Sequence, residues 1–171
     1  MPRNLELKIK IEDFEPVMNI LIKMNADDKG ILNQQDIYYN HSGSLLKLRL
    51  VNGRAEIITY RRDEQNPDRW SDYHVLAVDP GNAENFFGKI FEEEIRVIKK
   101  RHLYIYKNTR IHLDNVKSLG FFLELETVVT GNETEAKAEF EEVINLLELD
   151  KFERIKKSYK NILTGNADNK K

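Results

Sequence analysis

A chain of 171 residues with 27 basic and 29 acidic side chains has a formal charge of -2, which argues against any global attraction to nucleic acid or an anionic membrane. The absence of cysteine excludes disulfides and thiolate chemistry and is in keeping with a reducing compartment. No apolar run approaches the length of a membrane helix and Met1-Pro2-Arg3-Asn4 lacks the apolar stretch of a signal peptide, so the expectation is a soluble cytoplasmic protein. The length suits one domain, read here as residues 1–163 followed by a polar, disordered tail over 164–171.

Residues Asn4 to Ile11 alternate polar and apolar without a break and predict a strand whose polar face carries Asn4, Glu6, Lys8 and Lys10. From Asp13 to Met24 the apolar residues Phe14, Val17, Ile20, Leu21 and Met24 recur at helical spacing, with Asp13 as N-cap and Pro16 in the first turn. Asn25 to Gly30 reads as a polar turn. Strand patterns then follow at Gln34–Tyr39, with Ile37 and Tyr39 opposite Asp36 and Tyr38, and at Leu45–Val51, with Lys47 and Arg49 on one face. Asn52-Gly53 is the strongest short hairpin signal in the chain, so Ala55–Arg62 is expected to pair back antiparallel, with Thr59 and Arg61 sharing a face.

After a loop containing Pro67, Trp70–Val78 resumes the strand pattern, and Trp70 is read as a packing residue. Ala83–Phe91 predicts a short helix with Phe86, Phe87, Ile90 and Phe91 as its apolar side. Ile95–Tyr106 and Arg110–Val116 alternate again, the first carrying Lys99 and Arg101 on one face and the second His112 and Asp114. In Gly120-Phe-Phe-Leu-Glu-Leu-Glu126, Glu124 and Glu126 point the same way. A helix over Glu135–Leu147 and a final segment Phe152–Leu163, with Ile155, Tyr159, Ile162 and Leu163 on one side, complete the chain.

The chain is therefore expected to be α+β, a closed antiparallel barrel of about eight strands with flanking helices covering the apolar strand faces and the charged faces turned inward. Seven cations, Lys8, Lys10, Lys47, Arg49, Arg61, Lys99 and Arg101, would then surround Glu6, Asp114, Glu124 and Glu126. That balance suits a polyanion held together with a metal, since Arg and Lys grip phosphate oxygens while carboxylates hold a hard divalent ion, Mg²⁺ or Mn²⁺. Solvated outer faces of amphipathic strands would also give such pairs. His112 could relay protons, bind substrate or play a structural part, and Tyr159 could close one end of the barrel or pack in the core.

The order and spacing of Asn4-x-Glu6-x-Lys8, Lys47-x-Arg49, Thr59-x-Arg61, Lys99-x-Arg101, Asp114, Gly120-x-Phe122-x-Glu124-x-Glu126 and Lys157-Ser158-Tyr159 resemble the CYTH family, the triphosphate tunnel metalloenzymes that include class IV adenylate cyclases and thiamine triphosphatases. The resemblance spans residues 4 to 163. It implies a triphosphate tunnel in which Lys8, Lys10, Lys47, Arg49, Arg61, Lys99 and Arg101 bind phosphate and Glu6, Asp114, Glu124 and Glu126 bind Mg²⁺ or Mn²⁺. It further implies an enzyme that converts ATP to cyclic AMP and pyrophosphate, with Lys8 or Lys10 assisting deprotonation. The alternatives are a triphosphatase acting on thiamine triphosphate, inorganic triphosphate or nucleotide, and a phosphate-binding module without turnover. A nucleoside triphosphate or other triphosphate is the expected partner, without nucleic acid or membrane, and the resemblance leaves room for a homodimer. Two departures stand out. Asn4 occupies the place of the first acid in the family's E-x-E-x-K pattern, and Arg69, Ser71 and Asp72 replace an R-x-E type arrangement.

Overall fold

A computed structural model describes residues 3–42, 44–62 and 70–168, leaving the side chains of 61, 62 and 166–168 outside the description. Strands β1 (Arg3–Lys10), β2 (Asp27–Tyr39), β3 (Leu45–Val51), β4 (Arg54–Arg62), β5 (Trp70–Val78), β6 (Glu93–Tyr106), β7 (Thr109–Val116) and β8 (Gly120–Val128) close into one barrel. Their order around it is β1-β5-β4-β3-β2-β6-β7-β8, and every pairing is antiparallel. Helices α1 (Glu15–Lys23), α2 (Ala83–Ile90), α3 (Glu133–Leu146) and α4 (Tyr159–Asp168) pack on or into it.

The barrel is apolar outside and polar inside because each strand alternates two kinds of residue. Leu5, Leu7 and Ile9 of β1, Ile111 and Leu113 of β7, and Leu123 and Leu125 of β8 form the outer wall, buried under Val17 and Leu21 of α1, Phe140, Val143 and Ile144 of α3, and Leu147 at its C-cap. Trp70 joins the same cluster, as a packing residue should. Each large aliphatic so buried contributes about 1.5–3 kcal/mol. With the apolar core outside the wall, the interior is left to charged side chains. One end of that interior turns apolar at Tyr38, Val97, Val116, Leu119 and Phe122, and Tyr159, Ile162 and Leu163 of α4 plug it.

Local chemistry accounts for several bends. Asn52 (φ 46°) and Gly53 (φ 77°) form a tight turn joining β3 to β4 with both central residues at positive φ. Gly53→Ala is expected to cost about 1–2 kcal/mol, since a Cβ strains that backbone, and to lower the melting temperature by a few degrees. The stretch read as a polar turn over 25–30 is shorter than expected. Asn25 (φ 54°) turns the chain, and β2 already begins at Asp27, with Gly30 (φ 81°) at a register shift that lets the strand follow the long β6.

Helix α1 begins at Glu15 with Phe14 at its N-cap position, while Asp13 Oδ1 accepts a bond from the Glu15 amide at 3.1 Å. On α2, Phe87 and Phe91 pack toward Tyr39, whereas Phe86 and Ile90 are each 56% exposed, so only half of the expected apolar side is used. Residues 152–158 are not helical. The Ile155 amide bonds the Lys8 carbonyl at 2.8 Å, pinning the segment to the end of β1, and Ser158 Oγ accepts from the Asn161 amide at 3.1 Å where α4 starts. α4 runs on to Asp168, into the stretch read as a tail, of which residues 169–171 lie outside the described residues.

Candidate functional site

The barrel interior is a charged tunnel with a constricted inner part and a wider opening. The inner space, about 40 Å³, is lined by Lys8, Asp36, Lys47, Arg49, Lys99, Arg101, Glu124 and Tyr159 among others. It shares Lys47, Arg49, Tyr60 and Glu126 with a chamber of about 310 Å³, whose remaining wall includes Asn4, Glu6, Glu56, Ile58, Ser71, Tyr73, Val75 and Arg110. Position in the tunnel follows from the strand period: Lys47 and Arg49 alternate with core-facing Leu48, and Lys99 and Arg101 take the same phase on β6.

Three carboxylates organise these cations. Asp36 accepts Lys47 Nζ at 2.8 Å, Arg49 Nε at 2.8 Å and Nη2 at 3.1 Å, and Gln34 Nε2 at 3.2 Å. Asp114 accepts Arg101 Nε and Nη2, both at 2.7 Å, Lys99 Nζ at 2.8 Å and the Tyr159 hydroxyl at 3.0 Å. Glu124 takes Lys8 Nζ at 3.0 Å and Arg101 Nη2 at 2.8 Å. Burial alone would raise all three acids, but the cations outweigh it: Arg49 and Lys47 hold Asp36 well below the usual carboxylate range, Arg101 and Lys99 do so for Asp114, and Lys8 leads for Glu124. On the cationic side, burial and the neighbouring Arg49 push Lys47 down to about 7, despite its bond to Asp36. One carboxylate shared by two cations cannot fully compensate both, and the forked Arg49 holds the better geometry. Burial and Arg101 likewise lower Lys99, while burial and the adjacent carboxylates of Glu124 and Asp114 raise the Tyr159 hydroxyl.

The fold brings together Lys8, Lys47, Arg49, Lys99, Arg101, Glu6, Glu124 and Glu126 from the residues expected at the site. Lys10 sits apart. It is exposed at the end of β1, 5.9 Å from the Phe122 ring, and lines neither space. On β4 the described tunnel-lining residues are Glu56, Ile58 and Tyr60, and the Arg61 side chain lies outside the described residues. Asp114 is inside and accepts four bonds from Arg101, Lys99 and Tyr159, which makes it a brace for the cations. Of the second departure, Ser71 lines the chamber, Asp72 lies beside Arg3 at 3.6 Å, and Arg69 lies outside the described residues.

Sequence reasoning passed over Asp36, Tyr60 and Arg110. Asp36 was legible from its alternation with core-facing Ile37, and Arg110 from its phase with His112 and Asp114.

The CYTH domain profile matches residues 2–159. The chain belongs to the CYTH domain family. A curated relative from Methanocaldococcus jannaschii, named "putative adenylate cyclase", is 28% identical, with 91% of this chain and 95% of the relative covered. The solved structure of the PH1012 protein of Pyrococcus horikoshii superposes with a TM-score of 0.80 at 26% identity, covering 92% of this chain and 98% of that one. A Vibrio parahaemolyticus protein, titled a "putative adenylate cyclase", shares the fold with a TM-score of 0.75 at 21% identity, over 94% of this chain and 97% of its own.

CYTH membership implies a divalent metal, and the residues present fit one. Glu124, Glu126 and His112 each direct a ligand atom into one space, all within 4.8 Å of one another. Asn4 Oδ1 is buried without a hydrogen-bond partner in the wall of the chamber that Glu126 also lines, where an ion's hydration shell would satisfy it. Burial raises Glu126, yet His112 and Arg101 leave it below its ordinary value, so both glutamates are charged at neutral pH. Burial and Arg101 lower the imidazole of His112.

Proposed function

We propose that this chain is a metal-dependent, triphosphate-processing enzyme of the class IV adenylate cyclase kind, a single tunnel domain that closes ATP to cyclic AMP and releases pyrophosphate. The observation that carries this reading is the convergence of Lys8, Lys47, Arg49, Lys99 and Arg101 on one enclosed space. Five cations from three strands, four of them buried, held apart by the carboxylates of Asp36, Asp114 and Glu124, form a mould for a chain of phosphates. The adjoining chamber supports a substrate that carries an organic group. Tyr60, Tyr73, Ile58 and Val75 offer apolar surface there for a base and ribose, which inorganic triphosphate would not use. The name carried by the M. jannaschii relative favours ATP among such substrates.

In this mechanism Arg49 and Arg101 grip phosphate oxygens with the Nη1 groups that Asp36 and Asp114 leave open, and Lys8 and Lys99 neutralise the remaining charge. Each cation is already aimed by its carboxylate, so little reorganisation is needed when the polyanion arrives. Lys47 is the proton acceptor. With its pKa near 7 it is a free amine above neutrality, and it lines both the inner space and the chamber. As the ribose 3′ oxygen bonds to the α phosphorus, its proton passes to Lys47, and the bond to the bridging oxygen breaks to release pyrophosphate. Lys8, which sequence reasoning placed in this role, has its ammonium tied to Glu124 and to the Lys157 carbonyl at 3.3 Å and serves as a phosphate ligand. A divalent ion held by Glu124, Glu126 and Glu6 would neutralise charge on the phosphate oxygens and the leaving pyrophosphate.

Purified protein supplied with Mg²⁺ or Mn²⁺ and offered ATP, thiamine triphosphate and inorganic triphosphate tests this. Cyclic AMP with pyrophosphate is the expected product pair. Orthophosphate alone would replace the cyclase reading with a triphosphatase, and binding of every substrate without turnover would reduce the chain to a phosphate-binding module. Glu126→Gln is expected to lower metal-dependent turnover by about 10²–10³-fold, and unchanged turnover would remove Glu126 from the metal site.

A further inference from the structure

We propose that His112 binds the tunnel's divalent ion through Nδ1, beside Glu124 and Glu126, and that this nitrogen makes the site select a first-row transition ion over Mg²⁺. The inference rests on the reading that the tunnel holds a divalent ion at all.

His112 is 3% exposed, and its Nδ1 is a buried polar atom with no hydrogen-bond partner. An unsatisfied buried group of this kind costs about 1–3 kcal/mol, so its retention calls for a ligand. Nδ1 faces two carboxylate oxygens at once, Glu124 Oε2 at 3.9 Å and Glu126 Oε1 at 3.9 Å. That separation is too long for a hydrogen bond, and an imidazolium bridging two carboxylates would be drawn closer than this. Donor atoms that bracket a common ion stand off from one another in this way, since each bonds the ion and not its neighbour.

Strand register builds the arrangement. His112 pairs directly with Glu124 across β7 and β8, and Glu126 lies two residues further along the same face. The oxygens are also suitably disposed. Glu126 turns Oε2 to Arg110 at 3.3 Å and leaves Oε1 toward His112. Glu124 Oε2 accepts one bond from Arg101, and a carboxylate oxygen has a second lone pair for an ion. Asp114, two residues further along β7, is 0% exposed and already accepts four bonds, three of them on Oδ2.

The ion's identity follows from the donor set. Mg²⁺ demands hard oxygen ligands and binds imidazole poorly, whereas the first-row transition ions accept nitrogen, with affinity rising from Mn²⁺ to Cu²⁺. A wall that presents the neutral amide of Asn4 in the same chamber weakens the purely electrostatic hold on Mg²⁺ further.

The test uses the whole protein without substrate. Mn²⁺ binding is titrated by electron paramagnetic resonance, with Mg²⁺ as competitor, and the bound Mn²⁺ is examined for ¹⁴N coupling by electron spin echo modulation. Expected are a directly coupled nitrogen and Mn²⁺ binding at least about tenfold tighter than Mg²⁺, a difference of about 1.4 kcal/mol. His112→Asp, checked for an intact fold by circular dichroism, should still bind the ion, lose the ¹⁴N coupling and bring the two affinities within a few-fold. Bound Mn²⁺ without nitrogen coupling, coupling that survives in His112→Asp, or equal affinity for Mg²⁺ would each overturn the assignment of His112 while leaving the metal site itself in place. Failure to bind either ion would overturn the metal site as well.

Discussion

Asp114→Asn is expected to destabilise the protein by about 3–5 kcal/mol, read as a lower urea midpoint at neutral pH with an unchanged slope. The carboxylate is 0% exposed and carries four donated bonds, two from Arg101, one from Lys99 and one from Tyr159. Removing its charge leaves Lys99 and Arg101 buried with Glu124, bonded to Arg101 at 2.8 Å, as the nearest acid to balance them, and turns an amide NH₂ toward at least one donor. The same groups set the acid limit of the fold. Asp36, Asp114 and Glu124 are all held below their ordinary values, so the unfolded chain binds more protons as pH falls past about 4. Their stabilisation is complete above that pH and is lost progressively below it. Asp114→Asn should therefore show a shallower loss of stability with acid than the parent protein. An unchanged midpoint would mean that the cations find other partners, and that Asp114 is no brace.

Arg49→Ala is expected to lower kcat/KM by about 10²–10⁴-fold, the loss of two charge-assisted bonds to phosphate at about 1.5–3 kcal/mol each. It should also move the pH profile. Above pH 7 Lys47 is a free amine, so kcat/KM, which reports the unliganded enzyme, should rise as pH passes through about 7. Arg49 is, after burial, the leading cause of that low value, and removing it leaves Asp36 to Lys47 alone. The alkaline rise should then shift to higher pH in Arg49→Ala and return toward neutrality in Arg49→Lys, which restores the charge without the fork. A rise that stays at pH 7 in both variants would assign it to a group other than Lys47. Thermal stability of Arg49→Ala should change little by comparison, because Asp36 keeps one buried cation.

Much of the architecture was legible because strand alternation is a local property with a period of two. It marked Glu6 and Lys8, Lys47 and Arg49, Lys99 and Arg101, and Glu124 and Glu126 as sharing faces, and the Asn52-Gly53 turn fixed one hairpin. The resemblance to CYTH proteins then supplied an order for those pieces, which the profile match bears out. Other features were not legible. β4 is apolar on both faces, with Ile57 outward and Ile58 inward, so hydrophobicity carries no phase there. Lys10 matches the pattern but lies one residue pair beyond Lys8 and lines neither space. Of the segment Phe152–Leu163, only the part from Tyr159 is α-helical, because a backbone bond from Ile155 ties the preceding residues to β1.

By itself, then, the sequence determined which face of a cleanly alternating strand is polar, because the two faces follow from alternation plus the apolar content of the opposite side. Only the tertiary structure decided what those side chains are free to do. Asp114 and Glu124 look alike in the chain, yet the pairing of β6 with β7 hands Asp114 wholly to Arg101 and Lys99, while the pairing of β7 with β8 sets Glu124 beside the unpartnered nitrogen of His112. Lys47 looks like any other lysine until burial and a shared carboxylate lower it to about 7. Partnership and burial depend on which strands become neighbours at closure, and that is a long-range property no local period encodes.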